Sequence, residues 1–220
     1  MSKKYEKFKP YLRKIGSGEF TGKSLNREES AEATKLILKE EASPAQIGAF
    51  MIAHRIRRPE PQELAGMIDA YRELGPKIHS PKTHRVPIFF GSPFDGRTKT
   101  APIYPLTILL LLTQKQPVIL HGGSRMPVKC GVTHNELFQA LGLNLTGLSI
   151  TQLQSFFNHN ELALIHQPDH FPLAENLIPY RDQIGKRPPL ASMELIWTCH
   201  QGNHLPVSYT HLTLPTIYSV

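Results

Sequence analysis

The stretch Val86-Pro87-Ile88-Phe89-Phe90-Gly91-Ser92-Pro93-Phe94-Asp95-Gly96-Arg97-Thr98-Lys99-Thr100 decides how this chain is read. A short apolar run ending at a glycine predicts a buried strand over residues 86–90. In an open α/β sheet, ligands sit beyond the carboxyl ends of strands, where the polar segment behind this run would lie. Gly91 and Gly96 would let the backbone approach an anion, Ser92 and Thr98 offer hydroxyls, and Arg97 and Lys99 offset charge. The pattern then repeats. Residues 117–120 read as a second strand, followed by His121-Gly122-Gly123-Ser124-Arg125, with Lys129 beyond. A glycine turn between strand and helix is common without any ligand, so neither loop alone identifies a site.

Around these loops, strands alternate with helices. Residues 102–114 read as a helix whose apolar run, 103–112, is expected to be buried. Thr133 with Glu136 forms a capping box for a helix through Leu141, stopped by Gly142. Residues 149–158 read as helix, 162–165 as strand and 173–184 as helix. Such alternation predicts a mainly parallel sheet with helices on both faces.

Upstream the period is helical. Tyr5, Phe8, Leu12 and Ile15 share one face, with Pro10 marking a helix start or a kink. Asn26 with Glu29 predicts a capped helix through about Glu40, and Ser43-Pro44 opens another that carries Ile47, Phe50, Met51 and His54. Residues 61–74 form a fourth, ended by Gly75. The expected organisation is a helical domain over 1–75 and an α/β domain over 76–206. Val207-Ser208-Tyr209-Thr210-His211-Leu212 is what a sequencing-library transposon end would encode in frame, so 207–220 is expected to be a non-native tail.

Composition sets the outer limits. The 220 residues carry a formal net charge of +7, which suits an anionic partner but equally a solvated basic face. Cys130 and Cys199 show no pairing pattern, which together with the absence of an apolar signal segment predicts reduced thiols in a cytoplasmic protein. No run is long enough to span a bilayer. The histidines show no metal-ligand spacing, and His166-Gln167-Pro168-Asp169-His170 reads as a surface loop in preference to a substrate-facing one. Met193 and Trp197 read as core.

Residues 22–70 resemble the amino-terminal domain of the anthranilate phosphoribosyltransferase family. The similarity lies in Leu25-Asn26-Arg27-Glu28-Glu29-Ser30, Glu41-Ala42-Ser43-Pro44-Ala45-Gln46-Ile47-Gly48-Ala49-Phe50 and Pro61-Gln62-Glu63-Leu64-Ala65-Gly66, and it extends over nearly all of 9–206. It implies a nucleoside phosphorylase/phosphoribosyltransferase-like fold, a homodimer through the helical domain, Mg²⁺, and a sugar pyrophosphate donor such as phosphoribosyl pyrophosphate. The implied donor cradle is Gly91, Ser92, Asp95, Gly96 and Thr98, helped by Lys99, with His121, Gly122 and Arg125 on the acceptor side.

The loops depart from the family pattern, GTGGDG in the first and KHGNR in the second. Pro93 and Phe94 replace two glycines, Lys99 a threonine, Ala101 an asparagine and Ile103-Tyr104 a Ser-Thr pair. Leu120 replaces the lysine, Gly123 the asparagine, and Arg125 matches only with a one-residue slip. The family's magnesium-binding Asp-Glu pair has no counterpart in this chain, which the resemblance implies lacks roughly the last third of the domain. Two functions follow as expectations: a phosphoribosyltransferase-like glycosyltransferase with altered donor motifs, or a non-catalytic nucleic-acid-binding paralogue on the same scaffold. The second would use Lys3, Lys4, Lys7, Lys9, Arg13, Lys14, Arg55, Arg57 and Arg58 as phosphate contacts.

Overall fold

The computed structural model describes residues 3–18, 20–81, 85–99, 102–202 and 205–207. The expectations placed on Thr100, Ala101 and 208–220 lie outside these, as do the side chains of Lys3 and Lys4. In chain order a 3-10 segment, Lys3–Phe8, leads into α1 (Lys9–Gly16), α2 (Arg27–Leu38), α3 (Pro44–Arg57) and α4 (Pro61–Leu74). Then come β1 (Ile78–His79), β2 (Ile88–Phe90), α5 (Tyr104–Thr113), β3 (Val118–Gly122), α6 (His134–Ala140), α7 (Ile150–Asn160) and β4 (Leu162–His166). Four short helices follow, α8 (Gln167–His170), α9 (Pro172–Glu175), α10 (Ile178–Ile184) and α11 (Met193–Ile196), then β5 (His200–Gln201) and β6 (Leu205–Val207). The chain forms two compact units, Met1–Gly75 with Leu173–Met193, and Pro76–Pro172 with Glu194–Val220.

The first unit is a helical bundle whose starts are written in side chains. Asn26 and Ser43 each accept the backbone N–H three residues on, while Glu29 and Gln46 reach back to the cap. Pro10 sits in the first turn of α1, where its missing N–H costs nothing. Phe8 and Phe50 meet edge to face at 5.3 Å in a core that includes Ile47, Met51 and Met67. The α2–α4 seam explains the family-like motifs around it. A Cβ on Gly66 would lie 2.2 Å from the Arg27 carbonyl oxygen, and the Ser30 hydroxyl donates to the Glu63 carbonyl at 2.7 Å.

Glu63 ties the bundle together from inside. Its buried carboxylate accepts the Leu25 N–H at 2.9 Å and the Glu60 N–H at 2.8 Å, and lies 3.2 Å from His54 Nε2. Burial alone would raise this carboxyl. His54 and the two amides outweigh it and hold Glu63 below the usual glutamate range.

In the second unit a parallel sheet runs β4-β3-β2-β6, and β1 pairs with β5 in a separate parallel ribbon. Val118 faces both Ile88 and Leu162, and Gly122 faces His166. Every residue of β3 and β4 is buried, so both faces of the central strands are covered. One face carries Val118, Leu120, Leu162 and Leu164 against Ile108, Phe138 and Leu145.

Three expectations are corrected by the structure. Residues 103–112 are not a buried run: α5 buries Pro105 and Ile108 but leaves Ile103, Leu106 and Leu110 largely exposed. Only the stripe carrying Ile108 packs on the sheet, and a helix that is apolar all round gives no sequence signal of which side is covered. Residues 173–184 form two helices rather than one, with Pro179 in the first turn of α10. The 166–170 segment is a short helix, and His166, Gln167 and His170 are buried. Met193 and Trp197 are core, at 1% and 4% exposure. Val207, assigned by sequence to the tail, is the last residue of β6.

Candidate functional site

Because β2, β3 and β4 run parallel, their three following loops leave the sheet at the same end. The loop after β2 is held by protein on most sides. Gly91 lies against the Leu195 backbone, and the Phe94 N–H donates to Glu194 Oε2 at 2.7 Å. Arg97 and Val132 form an antiparallel bridge, and the Gly131 N–H donates to the Asp95 carbonyl at 2.8 Å. Gly96 has φ +73°, and a Cβ there would lie 2.4 Å from the Val132 carbonyl oxygen. The conformation and the close approach both demand glycine.

The predicted donor residues therefore separate. Gly91, Asp95 and Gly96 are buried, Ser92 and Pro93 half-buried, and Arg97, Thr98 and Lys99 exposed. Phe94, where the family pattern has glycine, is buried as core. Ser92 Oγ is 2.7 Å from His134 Nε2, and the His134 ring lies 4.7 Å from that of Tyr104. Burial, reinforced by the Arg97 charge, lowers His134 to about 4, so it is neutral at pH 7 and accepts or donates without charge. Burial pushes the Tyr104 hydroxyl up. The cleft lined by Ser92, Gly96, Arg97, Tyr104 and His134 has a volume of about 30 Å³. That is room for a water or two.

The second loop starts later than the sequence suggests, since His121 and Gly122 belong to β3. His121 is 1% exposed, stacked edge-on between Phe89 and Trp197 with ring centroids 4.9 Å from each, and its Nε2 is 3.3 Å from Thr198 Oγ1. Arg125 is exposed and pairs with Glu136 at 2.7 Å, tying the loop to the capping box of α6.

The third loop carries a constellation the sequence reading missed. His166 Nδ1 is 2.6 Å from Asp169 Oδ2, and His166 Nε2 is 3.3 Å from the hydroxyl oxygen of Ser124. Asp169 also accepts the Gly147 N–H at 2.7 Å. Burial would raise the Asp169 carboxyl, but that amide and His166 outweigh it and hold it below the usual aspartate range. The His166 N–H donates to His170 Nδ1 at 3.0 Å, and His170 Nε2 is 2.9 Å from the Leu148 carbonyl. A carbonyl can only accept, so the His170 proton sits on Nε2 and burial keeps the ring neutral. The available signal was the i, i+3, i+4 spacing of His166, Asp169 and His170 around Pro168, which a helical turn gathers on one side.

Among the described residues no group of three or more His, Cys, Asp or Glu could hold a metal ion. Of the basic candidates, Lys9 pairs with Glu6 at 2.6 Å, Lys14 with Glu29 at 2.5 Å, and Arg57 donates to Ser24 at 2.7 Å. Arg55 donates to the Arg187 carbonyl, while Lys7, Arg13 and Arg58 are not fully buried. No helix among the described residues is long and apolar enough to cross a membrane.

A helical bundle joined in sequence to a parallel α/β sheet with loops gathered at the strand ends defines a phosphoribosyltransferase-type glycosyltransferase fold. Residues 9–75 match the model described as glycosyl transferase family, helical bundle domain. Beyond that domain, the chain is similar to anthranilate phosphoribosyltransferases. It is 28% identical over 182 residues to the anthranilate phosphoribosyltransferase of Methylobacterium nodulans, covering 83% of this chain and 51% of that protein. It is 26% identical to the uncharacterized protein YbiB of Escherichia coli, covering 82% and 53%. Among solved structures, the Saccharomyces cerevisiae anthranilate phosphoribosyltransferase in complex with PRPP and Mg matches with TM-score 0.70 at 12% identity, covering 90% of this chain and 57% of that one. The enzyme from Thermus thermophilus matches with TM-score 0.67 at 20% identity, covering 82% and 52%. The chain thus spans about half the length of the curated relatives it matches.

Proposed function

We propose that this chain carries the donor side of a phosphoribosyltransferase-like site, for transfer of a pentosyl or phosphoribosyl group from a sugar pyrophosphate to an aromatic or nitrogenous acceptor. The observation that carries the reading is the loop after β2. It is pinned at the end of a parallel sheet by the Arg97–Val132 bridge while Arg97, Thr98 and Lys99 stay exposed. Two cations and a hydroxyl in a fixed loop suit an anionic pyrophosphate. The relative from Saccharomyces cerevisiae, solved with PRPP and Mg, supports the same reading. Catalysis of this class rests chiefly on positioning and charge stabilisation.

The altered motif changes how the donor would be held. Gly91 and Gly96 are occupied by contacts within the protein, and Pro93 has no N–H to give. Donor binding would then rest on side chains rather than on a backbone cradle, and it would be weak and salt-sensitive. A homodimer through the helical unit, where Ile56 is exposed on α3, and a cytoplasmic location belong to the same proposal.

Calorimetric titration with phosphoribosyl pyrophosphate at low and moderate salt tests it. Binding is expected, weakened several-fold in the double variant Arg97→Ala/Lys99→Ala, two substitutions at exposed positions. No binding at millimolar ligand, or binding indifferent to that variant, would overturn the assignment. The same titration with single-stranded DNA examines the nucleic-acid alternative, which requires steep salt dependence.

A further inference from the structure

The geometry points to a second reactive centre in the α/β unit: we propose that Ser124, His166 and Asp169 form a nucleophilic relay that reacts with small activated carboxylic esters. This centre stands or falls independently of the sugar-pyrophosphate reading. A serine hydroxyl becomes a nucleophile when a base lies within hydrogen-bond reach and a third group orients that base. Here the base, His166, has a side chain 8% exposed and the orienting Asp169 is 26% exposed, while Ser124 is open to solvent. That is the order of access a nucleophile and its base require.

Two independent contacts fix the base. Asp169 accepts two hydrogen bonds, from the Gly147 N–H and the His166 ring, so its carboxylate is ionised at neutral pH and places the imidazole proton on Nδ1. His166 Nε2 is then left as an acceptor, and the Ser124 hydroxyl is the donor it faces at 3.3 Å. Behind the ring, His170 accepts the His166 backbone N–H and anchors to the Leu148 carbonyl, which fixes the residue at its Cα. The nucleophile and base come from neighbouring parallel strand ends, Gly122 being the register partner of His166. A surface serine needs none of this support.

The chemistry balances with water as the only co-reactant. Ser124 Oγ bonds to the ester carbonyl carbon as its proton passes to His166 Nε2. The tetrahedral adduct collapses, the bond to the alcohol oxygen breaks, and His166 returns the proton to that oxygen. Water then attacks the acyl-serine, giving its proton to His166, and Ser124 departs with that proton as a hydroxyl, leaving the carboxylic acid. Asp169 keeps its charge throughout and acts as a positioning residue.

The test uses the full chain with a fluorophosphonate probe, where Ser124 Oγ displaces fluoride at phosphorus, and with p-nitrophenyl acetate. The expected result is one adduct per chain, mapped to Ser124 by peptide mass spectrometry, with nitrophenol release above the rate of free serine. Ser124→Ala is expected to abolish both while melting at the wild-type temperature, since that side chain is exposed. Asp169→Asn is expected to slow labelling of Ser124 by ~100-fold through the wrong ring tautomer. His166→Gln is expected to do the same; if it fails to fold, the other two variants still decide. Absence of labelling at millimolar probe, an adduct elsewhere, or an Asp169→Asn chain that melts lower yet labels at the wild-type rate would each overturn the proposal.

Discussion

Gly91 lies so close to Leu195 that a Cβ built on it would come within 2.0 Å of the Leu195 carbonyl oxygen. The residue that opens a phosphate-binding pattern in the sequence is thus required by packing inside the protein itself. Gly91→Ala is expected to destabilise the α/β unit by about 1–3 kcal/mol, the usual cost of forcing atoms into a filled space. Gly48 is the control, because a Cβ there meets nothing within 4 Å and the residue lies inside α3. Gly48→Ala should stabilise by up to ~1 kcal/mol. Urea unfolding of the two variants checks the contrast; equal shifts would contradict it.

Glu63 makes the helical unit sensitive to acid. Its folded pKa lies below the ordinary 4.5, so its contribution is fully present above about pH 4.5 and is lost as pH falls through the lower folded value. Glu63→Gln should cost about 1–3 kcal/mol at pH 7 by weakening acceptance from the Leu25 and Glu60 amides. It should also lack part of the wild-type loss of stability below pH 4.5. Circular dichroism melts from pH 3 to 7 measure both.

His134 acts in a different window. Its folded pKa of about 4 lies below the ordinary 6.5, so between those values the unfolded chain binds more protons. Stability of the α/β unit should therefore rise from pH 4 to pH 6.5, by roughly 2–4 kcal/mol for this group. His134→Gln, which can still meet Ser92, should flatten that rise. A variant with the same slope as wild type would contradict the assignment.

Leu106 and Leu110 expose apolar surface on α5, at 64% and 68%. Because little is buried, Leu106→Lys/Leu110→Lys should change stability by less than about 1 kcal/mol. The variant should be more soluble and associate less, since exposed apolar patches drive association. Sedimentation velocity across a concentration series reads this directly.

Much of the scaffold was legible in the chain. Asn26, Ser43, Thr133 and Ser149 each cap a helix where the sequence places a start, because capping is a contact over three residues. Strands β2, β3 and β4 were legible as short apolar runs, whereas β1, β5 and β6 were not foreseen. The burial of α5 was not, since Leu and Ile on every side of a helix leave its orientation undefined.

The local sequence therefore determined the caps, the alternation of strand and helix, and the glycine-bearing loops at the strand ends. Tertiary structure alone decided what those glycines serve and which polar groups meet. Gly91 and Gly96 answer to Leu195 and Val132, distant partners that no local pattern names. Ser124 reaches His166 across 42 residues because parallel pairing sets β3 beside β4. Local hydrogen bonds are set by spacing along the chain, whereas these contacts depend on strand order and register, which are fixed only when the sheet assembles.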